Sequence, residues 1–111
     1  EPEAVLGELG PALISARLAS DTREVARLEL ARANACRVVA DWDCQREAGI
    51  EARRAAEEAG LPHLAIRGLI AESRARIAIL VSGGSYSPIQ FYQAGLIRPW
   101  YSRRASPTRT A

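Results

Sequence analysis

Apolar residues recur along the first third of the chain at spacings of three, four and seven: Leu13, Ile14, Leu18, Val25, Leu28 and Ala33. That period belongs to an α-helix with one buried stripe. Val, Ile, Thr, Tyr and Phe never alternate over the length of a strand. Gly7, Gly10 and Pro11 punctuate the start, and a proline suits the first helical turn, where its missing N–H leaves nothing unpaired. With no Gly or Pro between Pro11 and Gly49, the pattern predicts one long helix from about Ala12 to Asn34 or Val38.

Ala40-Asp41-Trp42-Asp43 then offers two N-cap carboxylates, and Asp43 with Glu47 in the following turn opens a second helix to about Ala59, closed by Gly60. Ile50 is its only large aliphatic residue, so this helix must pack closely through its alanines. Leu61-Pro62 opens a third helix, with Leu64, Ile66, Leu69, Ile70, Ile77, Ile79 and Leu80 available for burial and Ser82-Gly83-Gly84-Ser85 as its stop. Ser87-Pro88 can open a short fourth helix, Ile89 to Leu96, ahead of a frayed Ser/Arg/Pro/Thr tail. The expected organisation is one helical domain over residues 1–101 and a flexible tail over 102–111.

A first helix of about 25 residues would extend nearly 40 Å at about 1.5 Å per residue, more than the width of so small a domain. It would need a partner along its length. The expected fold is therefore all-α, a long first helix plus two or three shorter ones, assembled as an intertwined homodimer.

Composition narrows the function classes. At 48% hydrophobic and 25% charged residues the chain is a globular one, and no uncharged apolar stretch is long enough to span a membrane. The net charge of +2 comes mostly from Arg98, Arg103, Arg104 and Arg109, beyond the last carboxylate, Glu72. The helical body is nearly balanced, which argues against a nucleic-acid groove. The absence of Met and a start at Glu1 lead to the expectation that an N-terminal piece has been removed. A cytoplasmic location is expected, with a secreted or periplasmic one as the alternative.

No Cys/His cluster has zinc-site spacing, so no metal site is expected. Cys36 and Cys44 flank the turn between the first two helices; two reduced, half-buried thiols is the favoured reading, and a bridge in an oxidising compartment the alternative. His63 reads as a surface or capping residue. Arg103-Arg104-Ala105-Ser106 matches a basic kinase target of the kind a frayed Arg/Ser tail yields by chance. Tyr86, Phe91, Tyr92, Trp100 and Tyr101 read as a C-terminal packing cluster rather than a stacking platform.

One constellation could carry chemistry. Arg23 and Asn34 lie eleven residues apart, about three helical turns, and so share a face that also holds Arg27. Asp43, Arg46 and Glu47 form a second polar cluster at the start of the next helix. The structural alternative makes Asp43 a cap, solvates Arg46 and Glu47, and pairs Arg23 with Glu24 or Glu29.

The order of these residues resembles the all-helical class of chorismate mutases. There a long first helix carries an Arg and, eleven residues on, a Lys; nine further stands an Asp, followed three and four residues later by an Arg-Glu pair. The same offsets fall on Arg23, Asn34, Asp43, Arg46 and Glu47. Gln45-Arg46-Glu47-Ala48 is similar to that family's second-helix opening, and Ala59-Gly60-Leu61 with Ala71-Glu72-Ser73 to its turn into the third helix. The likeness covers about Ala12 to Ile79.

The resemblance implies a homodimeric, cofactor-free isomerase rearranging chorismate to prephenate in aromatic amino-acid biosynthesis. By it, Arg23 and Arg46 would grip the substrate's carboxylates with Arg27 nearby, Asp43 or Glu47 would take its hydroxyl, and Ser73 would add a contact. A donor from position 34 would meet the charge developing on the ether oxygen. Three positions depart from the family: Asn34 stands for its Lys, Leu6 for an Arg that reaches into the partner's site, and Ile77 for a Gln or Glu. The alternatives are an isochorismate pyruvate-lyase activity or a non-catalytic helical dimerisation or regulatory domain that keeps a carboxylate-binding pocket.

Overall fold

The computed structural model describes residues 2–82, which form four helices and no strand: α1 (Pro2–Leu18), α2 (Thr22–Val38), α3 (Trp42–Glu58) and α4 (Pro62–Val81). The short helix expected at Ile89, the aromatic cluster beyond it and the C-terminal tail lie outside the described residues. Residues up to Ala78 belong to one compact unit, to which the following description applies. No described helix is long and apolar enough to cross a membrane.

The single long first helix is corrected to two. Chain direction reverses at Ala19-Ser20-Asp21, although neither Gly nor Pro stands there. Ser20 takes a left-handed conformation (φ 55°), so that its own N–H donates to Arg17 O and the Asp21 N–H to Ala16 O, closing the last carbonyls of α1. The Asp21 carboxylate then accepts from the Glu24 N–H and caps α2. One three-residue turn thus both ends a helix and begins the next. It recurs every twenty residues: Ala40 (φ 61°) with Asp41 as the cap, then Gly60 (φ 73°) with Leu61 ahead of Pro62. The premise that an overlong helix needs a partner subunit disappears with the break.

The start of α1 is corrected as well. The helix begins at Pro2, which fills the first-turn position assigned to Pro11, and Pro11 sits inside it. Of the aliphatic residues in that stripe, Leu13 and Val25 are buried while Ile14 and Leu18 are exposed, because α1 buries the face that holds Leu9, Leu13 and Ala16 and those two stand off it. Leu13, Ala16, Val25, Ala26, Ala55, Ala56 and Leu64 make the main core cluster.

Close packing through small residues holds α3, as its alanine-rich sequence requires: Ala48, Ala52, Ala55 and Ala56 are all buried. The closest approach is to α4. A Cβ on Gly49 would stand 2.8 Å from Gly68 O, and one on Gly68 would stand 2.8 Å from Gly49 O, so the two backbones cross with no room for a side chain. Cys36 and Cys44 form a disulfide across the α2–α3 turn, with Cα atoms 5.8 Å apart, in place of the free thiols that were favoured.

Two buried carboxylates tie neighbouring helices. Glu29 of α2 accepts from Arg17 of α1 at 2.6 Å and from Arg32 at 2.8 Å. Glu72 of α4 accepts from Arg53 of α3 at 3.1 Å and from Arg76 at 2.9 Å. Each buried charge therefore faces two guanidinium groups, the condition under which burying a carboxylate is tolerable.

Of the apolar residues expected to bury along α4, only Leu64 does so. Ile66, Leu69, Ile70 and Ile77 are between 43% and 58% exposed. The buried side of α4 is instead made by Leu64, Gly68, Glu72 and Ala75, spaced four, four and three residues apart.

Candidate functional site

Because α2 and α4 both pack on α3, they stand side by side with a groove between them. The α2 wall consists of Arg23, Arg27, Leu30, Asn34 and Arg37, spaced four, three, four and three residues apart, which is one continuous helix face. The α4 wall carries His63, Arg67, Ile70 and Arg74 at the matching spacing, with Leu64 and Ala71 deeper. Gln45 of α3 lies at the floor.

The charge distribution is uneven. Residues 2–82 hold eleven arginines and twelve carboxylates, yet no Asp or Glu lines this groove. Arg17, Arg32, Arg46, Arg53, Arg54 and Arg76 all pair with carboxylates elsewhere. Arg27 has only a 3.9 Å contact with Glu24, both of them well exposed, which is worth little. The four arginines with no ion pair among the described residues are Arg23, Arg37, Arg67 and Arg74, and every one of them lines the groove. Arg37 donates to Asn34 Oδ1 at 2.8 Å, which holds it on the wall without neutralising it.

Gln45 adds a second kind of unmet demand. Its side-chain amide is buried, Nε2 donates to Ala71 O at 3.1 Å, and Oε1 accepts from nothing. The bond to a carbonyl fixes which end is NH2, since only that end can donate.

Against this geometry the sequence-based site divides. Arg23, Arg27 and Asn34 come together as their spacing predicted, on the α2 wall. Asp43, Arg46 and Glu47 do not line the groove: Asp43 and Glu47 are exposed, and half-buried Arg46 is turned to Asp43 at 3.4 Å. The N-cap of α3 is Asp41 and not Asp43. Exposed Ser73 also lies off the groove. Of the other arginines of α1 and α2, Arg17 and Arg32 are committed to Glu29, while Arg27 and Arg37 face the groove. Pairing of Arg23 with Glu24 or Glu29 does not occur; those carboxylates serve Arg27, Arg17 and Arg32.

Compared with protein families, curated proteins and solved structures, the chain matches none. Functional inference therefore rests on the groove.

Sequence reasoning missed Arg67, Arg74 and Gln45. The first two were legible as a seven-residue repeat on one helix face, 67 and 74, the same interval that separates Arg23 from Leu30 and Leu30 from Arg37. Gln45 carried no such signal, because its importance comes from burial.

Proposed function

We propose that this chain is a non-catalytic helical binding domain whose α2–α4 groove takes an anionic partner. The observation that carries this reading is the segregation of charge: among the described residues, which hold slightly more carboxylates than arginines, four arginines are without ion pairs, all in one concave strip. Guanidinium forks arranged this way favour carboxylate or phosphate oxygens, bound as charge-assisted pairs. Polyacrylate, a polycarboxylate without a peptide backbone, added at low salt should bind the intact chain. Arg67→Gln with Arg74→Gln should weaken that binding at least about tenfold, while Arg54→Gln, outside the groove, should leave it unchanged. Equal binding by all three proteins would sink the reading.

The chorismate reading is the second proposal, and what favours it is the grouping of Arg23, Arg27 and Asn34 beside Arg67. In it, arginines of the groove hold the substrate's two carboxylates and the Asn34 amide donates to the ether oxygen as it gains charge. Arg46, Asp43, Glu47 and Ser73, which the family likeness assigns to the same site, lie elsewhere, so the binding reading is preferred. Loss of chorismate on adding the pure chain would reverse that preference. Homodimer formation is part of this second proposal, and the exposed Ile66, Leu69 and Ile77 of α4 are the surface that supports it.

A further inference from the structure

Granting the anion-binding reading, the groove says more about what kind of anion fits it. Its α2 wall runs from Arg23 to Arg37, fourteen residues or about 21 Å at about 1.5 Å per residue. That is the span of about six extended residues. Leu30, Ala33, Leu64 and Ile70 lie among the arginines, so the lining alternates cationic and aliphatic patches, and among the described residues its one ring is the His63 imidazole at the Arg23 end, too few for successive bases to stack. Gln45 lines the floor, and its Oε1 is enclosed and unpartnered, so that a small turn of the side chain offers it to a donor in the groove. Ionised carboxylates and phosphates have none to give. A peptide backbone offers both, carboxylates on its side chains and an N–H at every residue.

We propose that the α2–α4 groove binds an extended acidic peptide segment of a partner protein. Its carboxylates pair with Arg23, Arg37, Arg67 and Arg74, its apolar side chains rest on Leu30 and Ile70, and one backbone N–H donates to Gln45 Oε1. The Gln45 bond sets the register, because it is the one contact that a bare polyanion cannot make.

The test uses the intact chain and a fluorescein-labelled peptide of about seven residues that alternates Asp or Glu with Leu or Val, followed by fluorescence anisotropy. Saturable binding is expected, weakened at least about tenfold by Arg67→Gln with Arg74→Gln. Methylating the backbone nitrogens one at a time should cost about fivefold or more at a single position. In Gln45→Leu, whose helical spectrum and melting point are checked first, that position should become no more sensitive than its neighbours. Should Gln45→Leu fail to fold, the single-position sensitivity in the parent still decides. Three outcomes would overturn the proposal: oligouridylate or polyacrylate, neither of which has a peptide backbone, binding through the same arginines while the short peptide does not, which leaves the anion-binding groove standing; a methylation profile with no privileged position; or no binding of any of the three anions, which removes the groove reading as well.

Discussion

Three turns built on one plan each demand positive φ of their middle residue, Ser20, Ala40 or Gly60. Gly60 adopts it freely, whereas Ser20 and Ala40 place a Cβ against the neighbouring carbonyl, a strain of about 1 kcal/mol relative to glycine. The chain reverses there regardless, because Asp21 and Asp41 cap the next helix and the backbone N–H groups of positions 20 and 40 find partners in Arg17 O and Arg37 O. Relieving the strain should therefore stabilise the fold. Ala40→Gly is expected to raise stability by about 0.5 kcal/mol or more, since part of the gain is lost to the greater freedom of glycine in the unfolded chain. The corresponding rise in melting temperature is a few degrees, measured by circular dichroism, and a fall would mean that the left-handed turn is misplaced.

At the scale of elements, the same turns explain what could and could not be read in advance. The boundaries of α3 and α4 were legible, since Asp41 and Gly60-Leu61-Pro62 are ordinary capping and stop signals. Asp21 is an equally good cap, yet the break before it was invisible to a rule that looks for Gly or Pro, because Ser20 does the work of glycine. Missing that break doubled one helix and made a partner subunit look necessary. The face shared by Arg23, Arg27 and Asn34 survived the error, because residues 22–38 are helical in either version. Burial along α4 was misread for another reason: the helix approaches α3 through Gly68, so small residues and not the isoleucines define its buried side. This close crossing can be tested with one substitution made at two places. Gly68→Ala puts a methyl against backbone atoms, Arg53 N and Gly49 O at 2.8 Å, which no rotamer change can relieve. Overpacking of that kind should exceed the gain in helix propensity of about 1 kcal/mol and leave a net loss of about 2 kcal/mol. Gly7→Ala meets nothing within 4 Å and should stabilise α1 by about 0.5 kcal/mol or more. Urea denaturation of both variants would show opposite shifts of the midpoint, and shifts of the same sign would refute the crossing.

For the whole molecule the decisive property is where charge is left over. Glu29 and Glu72 each absorb two arginines inside the helix pack, so that among the described residues the arginines remaining unpaired are confined to the groove. Gathering cations on two facing walls must work against the free domain, because the groove brings like charges from α2 and α4 towards one another. Salt at about 0.1 M screens over about 10 Å, so the repulsion is largely hidden at that concentration and should emerge below it. It follows that Arg67→Gln, which removes the cation lining all three stretches of the groove, should make the unliganded chain more stable in dilute buffer, by about 0.5 kcal/mol. The gain should vanish at about 0.5 M salt. The same variant should bind anions less well, so stability and affinity move in opposite directions, as they do where binding groups are held against their own preference. Thermal melts of parent and variant at two salt concentrations test this directly. If Arg67→Gln instead destabilised the chain equally at both, Arg67 would be a packing residue whose stem supports α4, and the groove would lose its central cation as a binding group.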